Sequence, residues 1–378
     1  MRLLKSFLPV LLSAAALLAC GGGDDGADLK SVVSFGDSLS DVGTYKVGTV
    51  AALGGGKFTV NGADGKVWTE YLAGSLGLPA QCAARTGLLA NNGVTGAPVQ
   101  NFAACNNYAQ GSSRVTFNGT GPNGVGLQAY GQQNLGLMAD SLNEQMTRHL
   151  AKVGGSYSGS ELVTVNAGGN DLFMQLGALG GASAGGLAAA AGATIAGWAP
   201  TVVNTVALGG ANALNAAGPA AVGAMGQAGA ELAGYIKTLV TAKGARYVMV
   251  RNLGDVNVTP FGLTLDVGTR GLITNMTQAY NAQLKAGLDG TPGVVLIDDY
   301  TQTTDIAADP GKYGFSNITS VACGNNAFGG ATLVCTTANL IPGDTRTYAF
   351  SDNVHPTPYS HQKEAEAALA VMAAAGWL

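Results

Sequence analysis

Apolar residues along this chain follow two alternating patterns. Short, nearly continuous apolar runs rich in β-branched residues occur at 30–35, 106–109, 161–166, 245–250 and 293–297. Such runs are expected of strands covered on both faces. Between them the spacing changes to three and four. Leu142, Met146 and Leu150 precede the third run, and Leu232, Ile236 and Val240 precede the fourth. Ile273, Met276, Tyr280 and Leu284 precede the fifth. That period puts each set on one face of a helix. A last helix is predicted over 361–378, with Ala365, Leu369 and Met372 on one face. Strands alternating with helices predict an α/β fold, a three-layer sandwich around a central, mostly parallel, five-stranded sheet.

Two regions exceed this frame. Segment 177–229 is an Ala/Gly tract almost without charge. Its alanines favour helix and its glycines weaken it. Because it also carries Val, Leu, Ile and Trp198, two or three tightly packed small-residue helices are predicted. They form an insertion in a single domain over 30–378. Segment 300–346 reads as an ordered loop tied by cysteines.

The first residues read as a targeting signal. Arg2 and Lys5 precede an apolar core at 8–18 that is too short to span a bilayer, followed by small residues before Cys20. The ending LLAC resembles the lipobox of bacterial lipoproteins. The expectation is a signal peptide over 1–19, a lipid-bearing Cys20 and a flexible tether over 20–29. An exported, outer-membrane lipoprotein would then touch the membrane through its anchor. A secreted or periplasmic chain cleaved nearby is the alternative.

Charge narrows the possible partners. With 19 basic and 23 acidic residues in 378, the chain is poor in charge and slightly acidic, unlike a nucleic-acid binder. A monomer is expected. Besides Cys20 there are Cys82, Cys105, Cys323 and Cys335, an even number that reads as disulfides in an exported chain. Proximity favours Cys82–Cys105 and Cys323–Cys335 among three possible pairings. With no Cys-x-x-Cys and three histidines, no metal site is expected.

Ser38 follows the first strand in a Gly36–Asp37 turn, where a tight bend at a strand's carboxyl end exposes a hydroxyl and backbone N–H groups. Taken alone, such a serine is more often a helix cap. Of the bases, His149 reads as a surface or boundary residue of its helix, and His361 as a brace of the last helix. His355 lies in a polar turn that Pro356 keeps non-helical. Asp352, three residues upstream, can take its Nδ1–H while Nε2 faces Ser38. The backbone N–H groups of Ser38 and Gly111, with the amide of Asn170, could form an oxyanion hole at strand ends.

These residues fall in ordered blocks: SFGDSLSDVGTY, NYAQGSSR, AGGND and SDNVHPT. Together they resemble the GDSL lipases and esterases, also called SGNH hydrolases. VRNLGDVNVTP resembles a further block, with Gly254 where proline is usual. Ser112 follows Gly111 where the family has Gly or Ala. The resemblance implies a flavodoxin-like fold and carboxylic ester hydrolysis through an acyl-enzyme on Ser38. His355 would act as base, Asp352 would orient it, and no cofactor would be needed. Asp37, Asp41 and Asp171 are expected to shape turns. Substrates would be short- to medium-chain esters or lipids. Phe173, Met174, Leu176 and Trp198 are candidates to line an acyl groove. Alternatives are deacetylation of a polysaccharide, acyl transfer, or a non-catalytic surface lipoprotein that binds a partner or glycan.

Overall fold

The computed structural model describes residues 26–91, 93–115 and 137–378. The expected signal peptide and Cys20 lie outside the described residues. The end of the predicted tether is docked on the domain: Ala27 N–H donates to the Trp377 carbonyl (3.1 Å), and Leu29 packs in the same cluster as Trp377.

Four apolar runs form the central parallel sheet in sequential order: β1 (Ser31–Gly36), β2 (Glu161–Asn166), β3 (Tyr247–Arg251) and β4 (Val294–Ile297). The fifth predicted strand falls short of a regular ladder. Its segment runs beside β1 and exchanges Ser34 N–H to Asn106 O (3.0 Å) and Tyr108 N–H to Ser34 O (2.8 Å). It contributes only isolated bridges at Asn107, to Ser34 and Ala83. From Asn107 to Gln110 the segment is buried, but its polar side chains bond across to other loops, Asn107 to the Ser40 carbonyl (2.9 Å) and Gln110 to Asp140 (3.2 Å). Counting this segment, the spatial order is second, first, third, fourth, fifth, the flavodoxin-like arrangement, whose switch point lies between the first and third positions.

Residue alternation sets the layers. Val32, Leu162, Met249 and Ile297 face α1 (Trp68–Ser75) and the last helix, α9 (Pro358–Ala374). Val33, Phe35, Val163, Val165, Val248 and Val250 face the other way, into a core with α2 (Leu142–Lys152) and the long helices that follow. The last helix ends four residues earlier than predicted. Ala365, Ala368 and Met372 are its buried stripe, with Leu369 partly buried. His361 braces α9 as expected: it is fully buried, with Nδ1 2.9 Å from Glu364, which also accepts from Arg251 (3.1 Å).

The Ala/Gly tract is helical, in more pieces than predicted: the end of α3 (Gly169–Ala182), then α4 (Gly186–Ile195), α5 (Pro200–Leu208) and most of α6 (Gly210–Tyr235). Helix α7 (Val267–Leu288) runs parallel to α6. Gly218 meets Leu272, Gly226 meets Ala279, and a Cβ at Gly229 would lie 2.3 Å from the Tyr280 carbonyl oxygen. At Gly229 the backbones are too close for anything larger than glycine. The 300–346 segment holds most of α8 (Asp299–Ala308), the strand Asn317–Val321, which pairs in parallel with Tyr348–Phe350 beyond it, and the Cys323–Cys335 disulfide. Cys82 pairs with Cys105.

His149 is not at the surface. It is 2% exposed, edge-on to Phe35 and Tyr108, against Tyr157, with Nδ1 3.2 Å from the Tyr108 hydroxyl. The amphipathic period of α2 places it on the apolar face beside Gln145 and Met146, which outweighs its polarity. Burial lowers its pKa to about 4, with Lys152 adding to the effect. The unfolded chain therefore binds this proton first. The stability is complete above pH 6.5 and is lost as pH falls from there towards 4, by up to about 3 kcal/mol. His149→Phe is expected to flatten this acid limb in urea-unfolding midpoints measured against pH.

Candidate active site

The turn after β1 is clamped from three sides. Gln145 from α2 accepts the Gly36 N–H (2.9 Å) and donates to the Gly36 carbonyl (2.9 Å). Asp37 turns its carboxylate back onto the Leu39 N–H (3.1 Å). Asp41 accepts the N–H groups of Gly43 (2.9 Å), Thr44 (2.8 Å) and Gly111 (2.9 Å). Burial raises Asp41 to about 6 against these donors, and raises Asp37 to about 7 against the Leu39 N–H and the charge of His355. Ser38, 8% exposed, stands at the top of this turn.

His355 arrives from the far end of the chain. Its Nε2 is 3.0 Å from Ser38 Oγ, and its Nδ1 is 2.8 and 3.0 Å from the two Asp352 carboxylate oxygens. Asp352 also accepts the N–H groups of His355 (2.8 Å), Val354 (3.0 Å) and Thr332 (3.4 Å). Burial alone would push Asp352 up, but the His355 charge and these donors hold it well below the usual carboxylate range. For His355, burial opposes the charged form, and the neighbouring Asp352 outweighs it, leaving the imidazole above its ordinary value. A hydroxyl, imidazole and carboxylate in one hydrogen-bonded line can pass a proton from oxygen to nitrogen while the carboxylate steadies the cation.

The predicted oxyanion donors fare unequally. The Ser38 backbone lies in the turn as expected. Asn170 caps the carboxyl end of β2 in the first turn of α3 and lines the pocket, with one amide N–H on the Ser113 carbonyl (2.9 Å). The Gly111 N–H is directed to Asp41 and does not face the pocket, so this part of the expectation is corrected. The buried carboxylate claims it, a pairing that local spacing in the sequence does not show. Ser112 lines the pocket in its place, with a left-handed backbone (φ 71°) that is unusual for serine. The signal was present in the sequence, because the second block of the family has Gly or Ala at that position.

Several contributors carried no sequence signal. The Phe58 ring lies 5.2 Å from that of His355. Thr59 donates to the Pro356 carbonyl (3.0 Å), and Asn61 donates to Thr332 and Cys335 carbonyls (3.2 and 3.0 Å), which ties the disulfide loop to the site. Arg251 stacks on Trp68 (4.7 Å) and pairs with Asp299 (2.8 and 3.0 Å). Asp171 shapes its loop as expected, holding Arg114 (3.0 Å) and the Val115 N–H (2.9 Å). Beside Ser38 and His355 opens a pocket of about 330 Å³, with Phe58, Phe173, Val256, Phe315 and Phe350 among its walls. Of the groove candidates, Phe173 lines it. Met174 is core, and Trp198 is buried with its indole N–H on Gln175 (2.6 Å). Among the described residues, no three His, Cys, Asp or Glu side chains are grouped to hold a metal ion.

The hydrogen-bonded serine, histidine and aspartate lie at the switch point of a flavodoxin-like sheet, where α/β proteins of this class open their ligand crevice. Residues 32–368 match the family model described as GDSL-like Lipase/Acylhydrolase, and the chain belongs to that family. It is similar to GDSL esterase/lipase EXL2 of Arabidopsis thaliana, with 30% identity over 129 residues, 32% of this chain and 34% of that protein. It is also similar to a second GDSL esterase/lipase of that plant, 36% identical over 76 residues and 20% of each chain. The matched stretches thus span about a third or less of these relatives' length.

Gly111 has a steric reason to be glycine. A Cβ there would lie 2.2 and 2.3 Å from Phe58 ring atoms. Gly111→Ala is expected to push Phe58 towards His355 and slow labelling of Ser38 by a fluorophosphonate about tenfold or more. Adding Phe58→Ala should restore most of that rate.

Proposed function

We propose that the protein hydrolyses carboxylic esters through an acyl-enzyme on Ser38. The observation that carries this reading is the Ser38 Oγ–His355 Nε2 contact, backed by Asp352 on the opposite ring nitrogen. His355 takes the serine proton as Oγ attacks the ester carbonyl, then gives it to the leaving alcohol. Water activated by the same imidazole releases the acid. The Ser38 N–H and the Asn170 amide stabilise the developing oxyanion, with Ser112 as the wall beside them. Membership of a lipase/acylhydrolase family supports this chemistry.

The pocket's size and its aromatic and aliphatic walls favour short- to medium-chain acyl groups. Arg251, Lys363 and Glu364 at its edge favour an uncharged chain end, since a charged one would compete with existing ion pairs. Export also belongs to this reading, and two disulfides support an oxidising compartment. Lipid attachment at Cys20 would keep the enzyme at a membrane.

Ser38→Ala is expected to lower kcat/KM on an aryl acyl ester by about 10³-fold or more, with an unchanged circular dichroism spectrum. Turnover within a few-fold of the unmodified chain would overturn the nucleophile assignment. The base must be neutral to work, and its pKa is raised above 6.5. Activity should therefore rise with pH along a limb whose midpoint lies above 6.5. Asp352→Asn removes the charge that raises it, so a slower enzyme with a midpoint shifted to lower pH is expected in the pH–rate profile.

A further inference from the structure

The Ala/Gly tract builds a projection beside the pocket. Helix α3 starts at the carboxyl end of β2 and rises, at 1.5 Å per residue, roughly 20 Å away from the sheet. Helix α6 returns antiparallel to it. Their far ends meet where Gly210 N–H donates to the Ser183 carbonyl (3.0 Å) and Gly185 touches Gly209. Because α7 is parallel to α6, its first turn stands at the same height: Leu214 precedes Gly218, and Val267 precedes the Leu272 that Gly218 meets.

At this summit four large apolar side chains face solvent: Leu187 (91% exposed), Leu208 (88%), Leu214 (49%) and Val267 (87%). From Leu172 to Ala230 the chain carries no Asp, Glu, Lys, Arg or His. Asp266, beside Val267, directs its carboxylate to the Thr269 N–H (3.0 Å) and hydroxyl (2.6 Å). Exposed apolar side chains that cluster mark interaction sites.

We propose that this summit docks the enzyme, pocket end first, onto the surface of an uncharged lipid aggregate or bilayer, with the leucines inserted among the acyl chains. Charge decides the occupant. A protein partner is recognised through anchors such as Arg, Tyr and Trp within a polar rim. The tract's only such residue, Trp198, is buried. An anionic surface is recognised by lysines and arginines, and the tract has none. What the tract offers is apolar surface with no charged side chain of its own, and the one carboxylate beside it, Asp266, is exposed at the edge next to Val267, which suits a zwitterionic interface. The pocket opens at the same end of the sheet, with Phe173 in the second turn of α3 as a shared wall. The surface stands whether or not Ser38 is a nucleophile.

The test is flotation with phosphatidylcholine vesicles, using residues 21–378, which leave out the apolar leader and Cys20, and carrying Ser38→Ala, to keep catalysis out of the readout. The protein should float with the vesicles, and binding should hardly change between low and high salt. Leu187→Ser/Leu208→Ser should weaken partition about tenfold or more, with an unchanged melting curve. Equal flotation of the double variant, or no flotation of the parent, would overturn the proposal. So would a dimer in sedimentation velocity that the double variant dissociates, because the summit would then be a contact between copies.

Discussion

One buried carboxylate joins the parts of the site that come early in the chain. Asp41 accepts N–H groups from the turn that follows Ser38 and from Gly111 in a segment about seventy residues further on. A buried carboxylate without donors would cost several kcal/mol, and one with three oriented donors is a rigid hub. Through it the Ser38 turn and the Ser112 wall hold their relative positions without either belonging to a continuous ladder. Gln145 does the equivalent on the other side, lending its amide to the end of β1 where the neighbouring segment is no longer paired as a regular strand.

The other half of the site comes from the last third of the chain and is positioned by different means. The Asp352–His355 loop has few regular backbone partners. It is held by Ser351 and Thr59 on the Pro356 carbonyl and by Thr332 on Asp352. Thr332 lies inside the Cys323–Cys335 loop, which Asn61 ties in turn to the segment carrying Phe58. The second disulfide therefore sits two contacts away from the imidazole. The two halves face each other across the pocket and are tied behind it through residues 56–61.

Most of the architecture was legible because it rests on periodicity. Four apolar runs became strands, and the three- and four-residue spacings became helices whose named residues are buried. What local patterns missed depends on long-range partners. Residues 106–109 look like a strand, yet the polar neighbours are spent on side-chain bonds such as Asn107 to the Ser40 carbonyl. His149 reads as a boundary residue until the rings of Phe35, Tyr108 and Tyr157 close around it. Ser38, His355 and Asp352 could be nominated by block order and by the Asp-x-x-His spacing. The destination of the Gly111 N–H, and the roles of Phe58 and Thr332, required the assembled fold.

The parallel α6–α7 contact gives a physical reason for part of the tract's glycine content. Gly229 and Gly287 stand where the two helices approach most closely, a Cβ at Gly229 lying 2.3 Å from the Tyr280 carbonyl oxygen and one at Gly287 2.5 Å from the Ala233 Cβ. Side chains normally keep helix axes 8–10 Å apart, and here that padding is stripped away. At this point what looks like low-complexity sequence is a spacing rule written in residue size. Helix propensity lost at Gly229 is traded for contact with the backbone of the neighbouring helix. The tract can tolerate drift among residues on its outer faces, but at Gly229, and at Gly287 opposite it, a single methyl group is a geometric event.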